Sequence, residues 1–221
     1  MLAVVLAPSG ALAAFPTVIG SATGTDPCGG NYNFIQTVSP IGTSYAVPAG
    51  GSFITSWSTQ AGAYTGPVGL QVWRRVNSYT YLLVGASPEM TLTPGTTPTF
   101  TLATPIAVLA NDLLGMRIGA STSPNTALCT QAVAAGAGGA YSFVRAAAPT
   151  VGTTGDASFV WTASAGYQLN VSATVDATPT PGPVPGTGCD SSANANMTDA
   201  CSQTQTLILR LFAAAIKASR I

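Results

Sequence analysis

The side chains that most often carry catalysis are nearly absent from this sequence. It contains no histidine, which excludes Ser-His-Asp and Cys-His nucleophile systems and removes the commonest metal ligand. Its one lysine, Lys217, lies close to the C-terminus. The sequence contains neither a phosphate-binding G-x-x-x-x-G-K-[ST] motif nor a G-x-S-x-G nucleophile motif. We therefore predict that the protein is not an enzyme, with no catalytic residue and no cofactor.

Carboxylates are the side chains that remain for acid–base chemistry. Those before the C-terminal region are Asp26, Glu89, Asp112, Asp156 and Asp176. A glycosidase needs two carboxyl groups that face each other across about 5–10 Å, one of them with a raised pKa. Asp112 and Asp156 fall at predicted turns and Asp26 precedes a proline, so we interpret these three as structural.

A polar stretch near the C-terminus matches a calcium-binding loop only in part. Residues 190, 192, 194 and 196 (D, S, N, N) alternate as oxygen ligands do in an EF-hand. However, Ala195 and Cys201 replace the required glycine and glutamate, and no histidine is present to complete a zinc site. We interpret the stretch as a solvated loop and predict no metal site.

Aromatic residues on a predicted hairpin are the best candidates for a binding site. Trp73 and Arg75 share one face of the first arm, and Tyr79 and Tyr81 share one face of the second. Exposed together, these four residues would form a ligand-binding platform on which sugar rings stack. The alternative is that Trp73 and one tyrosine belong to the core.

Low charge restricts the partners of the chain. Charged residues make up 6% of the sequence, against about 25% in typical proteins. Nucleic-acid binding needs clustered basic residues, and no apolar run reaches the 18 residues of a membrane span. We predict no nucleic-acid partner and no transmembrane segment, and a glycan or a surface protein as partner.

Short alternating segments separated by Gly, Pro, Ser and Thr predict an all-β fold. Ten or more strand candidates fall between residues 31 and 176. Residues 167–175 (YQLNVSATV) alternate most regularly, and residues 52–58 place Phe53, Thr55 and Trp57 on one face. Residues 43–47 form another predicted strand. This spacing predicts a jelly-roll or other β-sandwich domain over residues 15–176, whose inner faces would take aromatics such as Phe159 and Trp161.

The first 14 residues have the character of a signal peptide. An apolar stretch, MLAVVLA, leads into the A-x-A pattern at residues 11–13. It lacks a basic n-region, which predicts a truncated signal whose true start lies upstream. The alternative is a buried first strand.

Four cysteines suit an oxidising compartment. They allow three pairings. We favour Cys28 with Cys129 and Cys189 with Cys201, because each pair lies within one region of the chain; free buried thiols are the alternative.

The composition changes after Asp176. Residues 177–188 (ATPTPGPVPGTG) predict a Pro/Gly/Thr linker. Residues 189–221 predict a disulfide loop followed by a short amphipathic C-terminal helix, in which Leu207 and Leu211 recur at helical spacing. The helix is either a cap or a surface for self-association or anchoring.

Several turn and core motifs lie across residues 28–176: YAVPAGG at 45–51, ITSWS at 54–58, GLQVWR at 69–74, MTLTPG at 90–95, Ile106 with NDLLG at 111–115, and YQLNVSA at 167–173. In these motifs the chain resembles a group of actinobacterial secreted proteins of uncharacterised function. The resemblance implies a jelly-roll β-sandwich and no catalytic residue. Family members often continue into Asp-rich calcium-binding repeats, whereas Asp176 is followed here by the linker, so the resemblance does not extend to calcium dependence.

These observations predict a secreted or extracellular protein, associated with the cell surface in one interpretation. The first functional hypothesis is a non-catalytic module for binding or adhesion. The alternatives are a carbohydrate-binding, lectin-like module and a structural envelope protein. Exposed coplanar aromatics would favour the lectin-like module, whereas buried aromatics and a flat Ser/Thr surface would favour binding, adhesion or a structural role.

Overall fold

The computed structural model describes residues 15–63, 66–120, 127–155 and 162–177 of the chain. These residues form fifteen strands and no helix, which confirms the predicted all-β fold. None of the described segments has the helical length and hydropathy that a membrane span requires.

The strands follow the predicted Gly/Pro/Ser/Thr punctuation. They are β1 (Thr17–Ser21), β2 (Asp26–Cys28), β3 (Tyr32–Pro40), β4 (Phe53–Ser58), β5 (Pro67–Arg75), β6 (Tyr81–Ala86), β7 (Met90–Thr91), β8 (Thr99–Ala107), β9 (Leu113–Ile118), β10 (Ala127–Ala132), β11 (Gly138–Arg145), β12 (Thr154–Gly155), β13 (Thr162–Ala165), β14 (Tyr167–Leu169) and β15 (Val171–Asp176).

The strands assemble into three sheets. Sheet I has the order β1-β15-β4-β8. Sheet II has the order β12-β6-β5-β9-β3-β11-β13, with β7 also paired to β5. Sheet III has the order β14-β10-β2. All the pairings between these strands are antiparallel, as expected when strands are joined by short turns.

The main core is formed by the facing sides of sheets I and II. Strand β15 shows the alternation most clearly, with Val171, Ala173 and Val175 buried and the residues between them partly exposed. These side chains belong to the same buried cluster as Leu70 and Leu114 of sheet II. The two sheets thus pack in the manner of a β-sandwich.

The alternation predicted for residues 52–58 is wrong. Ile54 and Trp57 are both buried, although they are three residues apart and a regular strand would place them on opposite faces. In the pairing of β4 with β15, Ile54 and Ser56 are opposite the consecutive residues Val175 and Thr174, so Thr55 is an extra residue, and such a β-bulge reverses the side on which the following residues lie.

The strand predicted at residues 43–47 is also wrong. Only an isolated bridge between Ala46 and Leu113 occurs there. The segment is anchored by Tyr45, whose ring is fully buried and whose hydroxyl donates a hydrogen bond to the Leu169 carbonyl. Burial raises the pKa of Tyr45 well above its ordinary value.

One predicted disulfide is confirmed. Cys28 and Cys129 are bonded, with their Cα atoms 5.9 Å apart, and this bond joins β2 to β10 within sheet III. Cys189 and Cys201 lie outside the described residues. So do the signal peptide over residues 1–14, Phe159 and Trp161, residues 178–188 of the linker, and the C-terminal helix, which all stay predictions.

Candidate functional site

The four residues of the predicted aromatic platform occupy very different environments. Trp73 is 1% exposed and Tyr81 is 5% exposed, whereas Tyr79 is 82% exposed at the hairpin turn. Arg75 is exposed and contacts only Tyr81 among the other three, with its Nη2 3.2 Å from the hydroxyl and its Cζ 5.6 Å from the ring centroid. The structure therefore does not bring the four side chains together on an exposed face.

Trp73 and Tyr81 are buried on the side of sheet II that faces away from the main core. They form a second apolar cluster there with Ile35 and Leu83, against which Leu113 packs. Trp73 lies on the opposite face of β5 from Leu70 and Val72, as the two-residue period of a strand requires. The face itself is covered.

The cover is residues 146–155, which we call the strap. At one end, the Asn33 Nδ2 atom donates to the carbonyls of Ala146 and Ala147 at 3.3 and 3.1 Å. At the other end, the Gly152 amide donates to the Leu83 carbonyl at 2.8 Å, and β12 pairs with β6. Because β9 and β5 lie between β3 and β6 in the sheet, the strap crosses the outer face of sheet II.

A cavity of about 370 Å³ lies between the strap and sheet II. Its sheet side includes Asn33, Trp73 and Val144, and its strap side includes Ala146, Ala147 and Pro149. The volume lies at the lower end of the range of small-molecule sites, which is about 300–1,000 Å³. None of the lining residues that the structure describes is charged.

Gly115 is required beneath the Trp73 indole. A Cβ atom on Gly115 would collide with the Phe34 carbonyl oxygen and lie 2.8 Å from Cδ1 and Nε1 of Trp73. We expect Gly115→Ala to lower the free energy of unfolding by about 1–3 kcal/mol, because a well-packed region cannot absorb an extra methyl group. Urea denaturation measures this change. Gly69→Ala is the matched control, since a Cβ there meets only ordinary contacts at 3.4 Å or more; an equal loss in both variants would contradict the prediction.

The outer side of sheet I is a second candidate surface, and on β15, β4 and β8 it carries hydroxyl groups. Its six residues, which we call the hydroxyl face, are Ser56, Ser58, Thr99, Thr101, Ser172 and Thr174. The Ser56 hydroxyl donates to Thr174 Oγ1 at 2.9 Å, and the Ser58 and Thr99 hydroxyls are hydrogen-bonded at 2.8 Å. These bonds show that the side chains of neighbouring strands lie on the same face.

The register of sheet I aligns these hydroxyls in two rows. Thr174, Ser56 and Thr101 are direct partners across β15, β4 and β8. Ser172, Ser58 and Thr99 form the second row, two residues further along each strand. Strand geometry spaces the hydroxyls about 4.8 Å apart within a row and separates the rows by about 6.8 Å.

The hydroxyl face is almost free of charge. Asp176 is the one charged residue in the four strands of sheet I. It lies at the end of β15, and one of its carboxylate oxygens accepts a hydrogen bond from the Thr55 hydroxyl at 2.9 Å.

Comparisons with known proteins identify no relative. No family model matches the chain, and comparisons with curated proteins and with solved structures return no significant match.

Two arginines of sheet II are used in structural contacts. Arg74 binds the Asp112 carboxylate through Nε and Nη2, both at 2.8 Å. Arg117 lies 3.3 Å from Glu89 and also donates to the Ala146 carbonyl and to Asn31 Oδ1. Among the described residues, no group of three Cys, Asp or Glu side chains could hold a metal ion.

Sequence reasoning did not find either the hydroxyl face or the strap cavity. The Ser and Thr residues at the outward positions of 167–175 were a signal for the hydroxyl face, because they alternate with the buried residues of β15. The strap sequence, AAAPTVGTTG, has no apolar periodicity and gave no sign that it covers Trp73.

Proposed function

We propose that the chain is a non-catalytic module, secreted or displayed at a cell surface, that adheres through its hydroxyl face to a neutral polysaccharide surface. The observation that carries this proposal is the two aligned rows of Ser and Thr hydroxyls across β15, β4 and β8. Buried aromatics beside a flat Ser/Thr surface favour adhesion over sugar stacking on exposed rings.

The chemistry of the face suits a polyhydroxylated partner. Each hydroxyl has one donor and two acceptor positions. The bonds between Ser56 and Thr174 and between Ser58 and Thr99 use only part of this capacity. An extended neutral glycan presents donors and acceptors at regular intervals, so it can bond to several residues of one row at once.

The lack of charge selects against ionic partners. With only Asp176 at its margin, the face would attract neither polyanions nor polycations. Adhesion should then depend little on ionic strength, because salt screens interactions between charges and has a small effect on hydrogen bonds between neutral groups.

The jelly-roll assignment belongs to this proposal. Sheet I has the order β1-β15-β4-β8, and the centre of sheet II has the order β6-β5-β9-β3. Eight strands that alternate in this way between two packed sheets are the arrangement of a jelly roll built from two Greek keys. On this assignment, β10 to β14 are an insertion between the last two strands. The strap belongs to that insertion.

The Cys28–Cys129 disulfide supports the extracellular setting. Disulfides persist mainly in oxidising compartments and are rare in the cytosol.

We expect the full-length oxidised protein to adsorb to an insoluble neutral polysaccharide, with microcrystalline cellulose and chitin as the probes. Thr174→Lys should weaken adsorption at least about tenfold, because it places an unpaired charge in one of the two hydroxyl rows, where desolvation is unfavourable. Depletion of protein from the supernatant at 0.05 M and about 0.5 M salt measures both the affinity and its salt dependence.

Ser78→Lys is the matched control, since Ser78 is exposed in the β5–β6 turn and the substitution is chemically similar. It should adsorb like the wild type. Equal adsorption of Thr174→Lys and Ser78→Lys, or no adsorption of the folded wild type to either solid, would contradict the proposal. Self-assembly of the protein into sheets without any glycan would favour the structural envelope role instead.

A further inference from the structure

We propose that the cavity beneath the strap binds a small uncharged molecule, consisting of an apolar ring that carries one hydroxyl or amine donor. This site lies on sheet II and is independent of the hydroxyl face on sheet I.

The shape and lining of the cavity determine the class of ligand. About 370 Å³ accommodates a molecule of one or two rings. The Trp73 side chain, Val144 and the alanines of the strap provide apolar contacts. Because no described lining residue is charged, an ionic ligand would lose its hydration without gaining a charged partner there.

A buried amide beside the cavity supplies the polar part of the argument. Gln71 is 2% exposed, and its Nε2 donates to Asn33 Oδ1 at 2.9 Å. That bond fixes the orientation of the amide, since Asn33 uses its own Nδ2 on two strap carbonyls. Gln71 Oε1 is consequently a buried acceptor that has no hydrogen-bond partner among the described residues.

Such an acceptor is unfavourable, because a buried polar atom without a partner costs about 1–3 kcal/mol. Gln71 contacts Asn33 and lies two residues before Trp73 on the same face of β5, and both of those residues line the cavity. Gln71 is not itself among the described lining residues, but its neighbours Asn33 and Trp73 are, so a ligand that enters between these two side chains would reach Oε1. A hydroxyl or amine on its ring would supply the donor.

The probe for this proposal is 2-naphthol, which has an apolar double ring and one hydroxyl donor. 2-Methoxynaphthalene has the same rings and oxygen but cannot donate. We expect the full-length oxidised protein to bind one equivalent of 2-naphthol in equilibrium dialysis. The affinity should be about three- to tenfold higher than for 2-methoxynaphthalene, which corresponds to one hydrogen bond.

Two variants separate the donor contact from the cavity. Gln71→Met should remove the preference for 2-naphthol, because methionine has a similar length and no amide oxygen. Ala147→Phe should abolish binding of both compounds by filling the cavity from the strap. Because this substitution is in the strap and leaves the strands of sheet II unchanged, it still tests the proposal if Gln71→Met fails to fold.

Thr174→Lys should bind 2-naphthol like the wild type, so failure of adhesion through sheet I and failure of this site are distinguishable. The proposal is overturned if the folded wild type binds neither compound or binds both equally. Binding that Ala147→Phe leaves unchanged would overturn it as well.

Discussion

Replacing Cys28 and Cys129 together with serine is expected to lower the free energy of unfolding by about 4–5 kcal/mol. The bond closes a loop with a sequence separation of 101 residues. In the chain-entropy model, a loop of about 100 residues contributes about 4.7 kcal/mol by restricting the unfolded chain. A domain of this size has a total stability of only about 5–15 kcal/mol, so the loss is a large part of the whole.

The structure also indicates which sheet will be destabilised most when the disulfide is removed. The disulfide joins β2 to β10, and β10 pairs with β14, so sheet III holds the N-terminal segment against strands from residues 127–169. Asn170 adds polar contacts to the same region through hydrogen bonds to the carbonyls of Gln60 and Leu128. Without the disulfide, we expect sheet III to exchange its amide hydrogens before sheets I and II.

Guanidinium denaturation of the oxidised wild type and of the double variant measures the difference. Treating the wild type with a thiol reductant should produce a loss similar to that of the variant. A difference below about 1 kcal/mol would show that the native contacts of sheet III, and not the cross-link, determine stability.

Local pattern was sufficient to predict most of the strands. The alternation of β15 and the placement of Trp73 opposite Leu70 follow from the two-residue period of a strand, and the pairing of Cys28 with Cys129 follows from their shared region of the chain. The first two features depend on residues that are neighbours in the sequence, and the disulfide is one of only three ways to pair four cysteines.

The features that the sequence did not predict depend on distant parts of the chain. The bulge in β4 buries Ile54 and Trp57 together, and no local signal distinguishes it from a regular strand. Whether Trp73 is exposed or buried depends on the strap, which is separated from it by about 70 residues and has a loop-like sequence. A face of a sheet can be deduced from alternation, whereas what covers that face depends on topology.

Arg74 illustrates both the strength and the limit of such reasoning. It lies on the same face of β5 as Leu70 and Val72, which indicates a basic residue directed toward the core that needs a partner. The sequence predicts Asp112 as a turn residue, and it does close a turn, with its Oδ2 accepting from the Leu109 amide at 2.8 Å. That this turn docks against Arg74, 38 residues away in the sequence, could not be deduced from either segment alone.

Asp112→Ala is expected to lower the free energy of unfolding by about 3 kcal/mol. The carboxylate is 1% exposed and accepts two hydrogen bonds from Arg74 as well as the one from Leu109. The hydrogen bonds from Arg74 to Asp112 raise the pKa of the Arg74 guanidinium. Removing one partner of a buried ion pair typically costs about 3–5 kcal/mol, and the lower end applies here because Arg74 is 36% exposed and regains some hydration.

The pairing itself is tested by a double-mutant cycle. Arg74→Ala should also be strongly destabilising, since it leaves the buried Asp112 carboxylate with one hydrogen bond among the described residues, from the backbone amide of Leu109. The double variant should therefore cost clearly less than the sum of the two single variants, with a coupling of about 1.5–3 kcal/mol. Arg75→Ala is the matched control: the neighbouring arginine is exposed and, among the described residues, its side chain contacts Tyr81, so its loss should cost less than about 1 kcal/mol. Strict additivity of Arg74→Ala and Asp112→Ala would mean that the two residues stabilise the fold separately, through the strand and the turn, and that their contact contributes little.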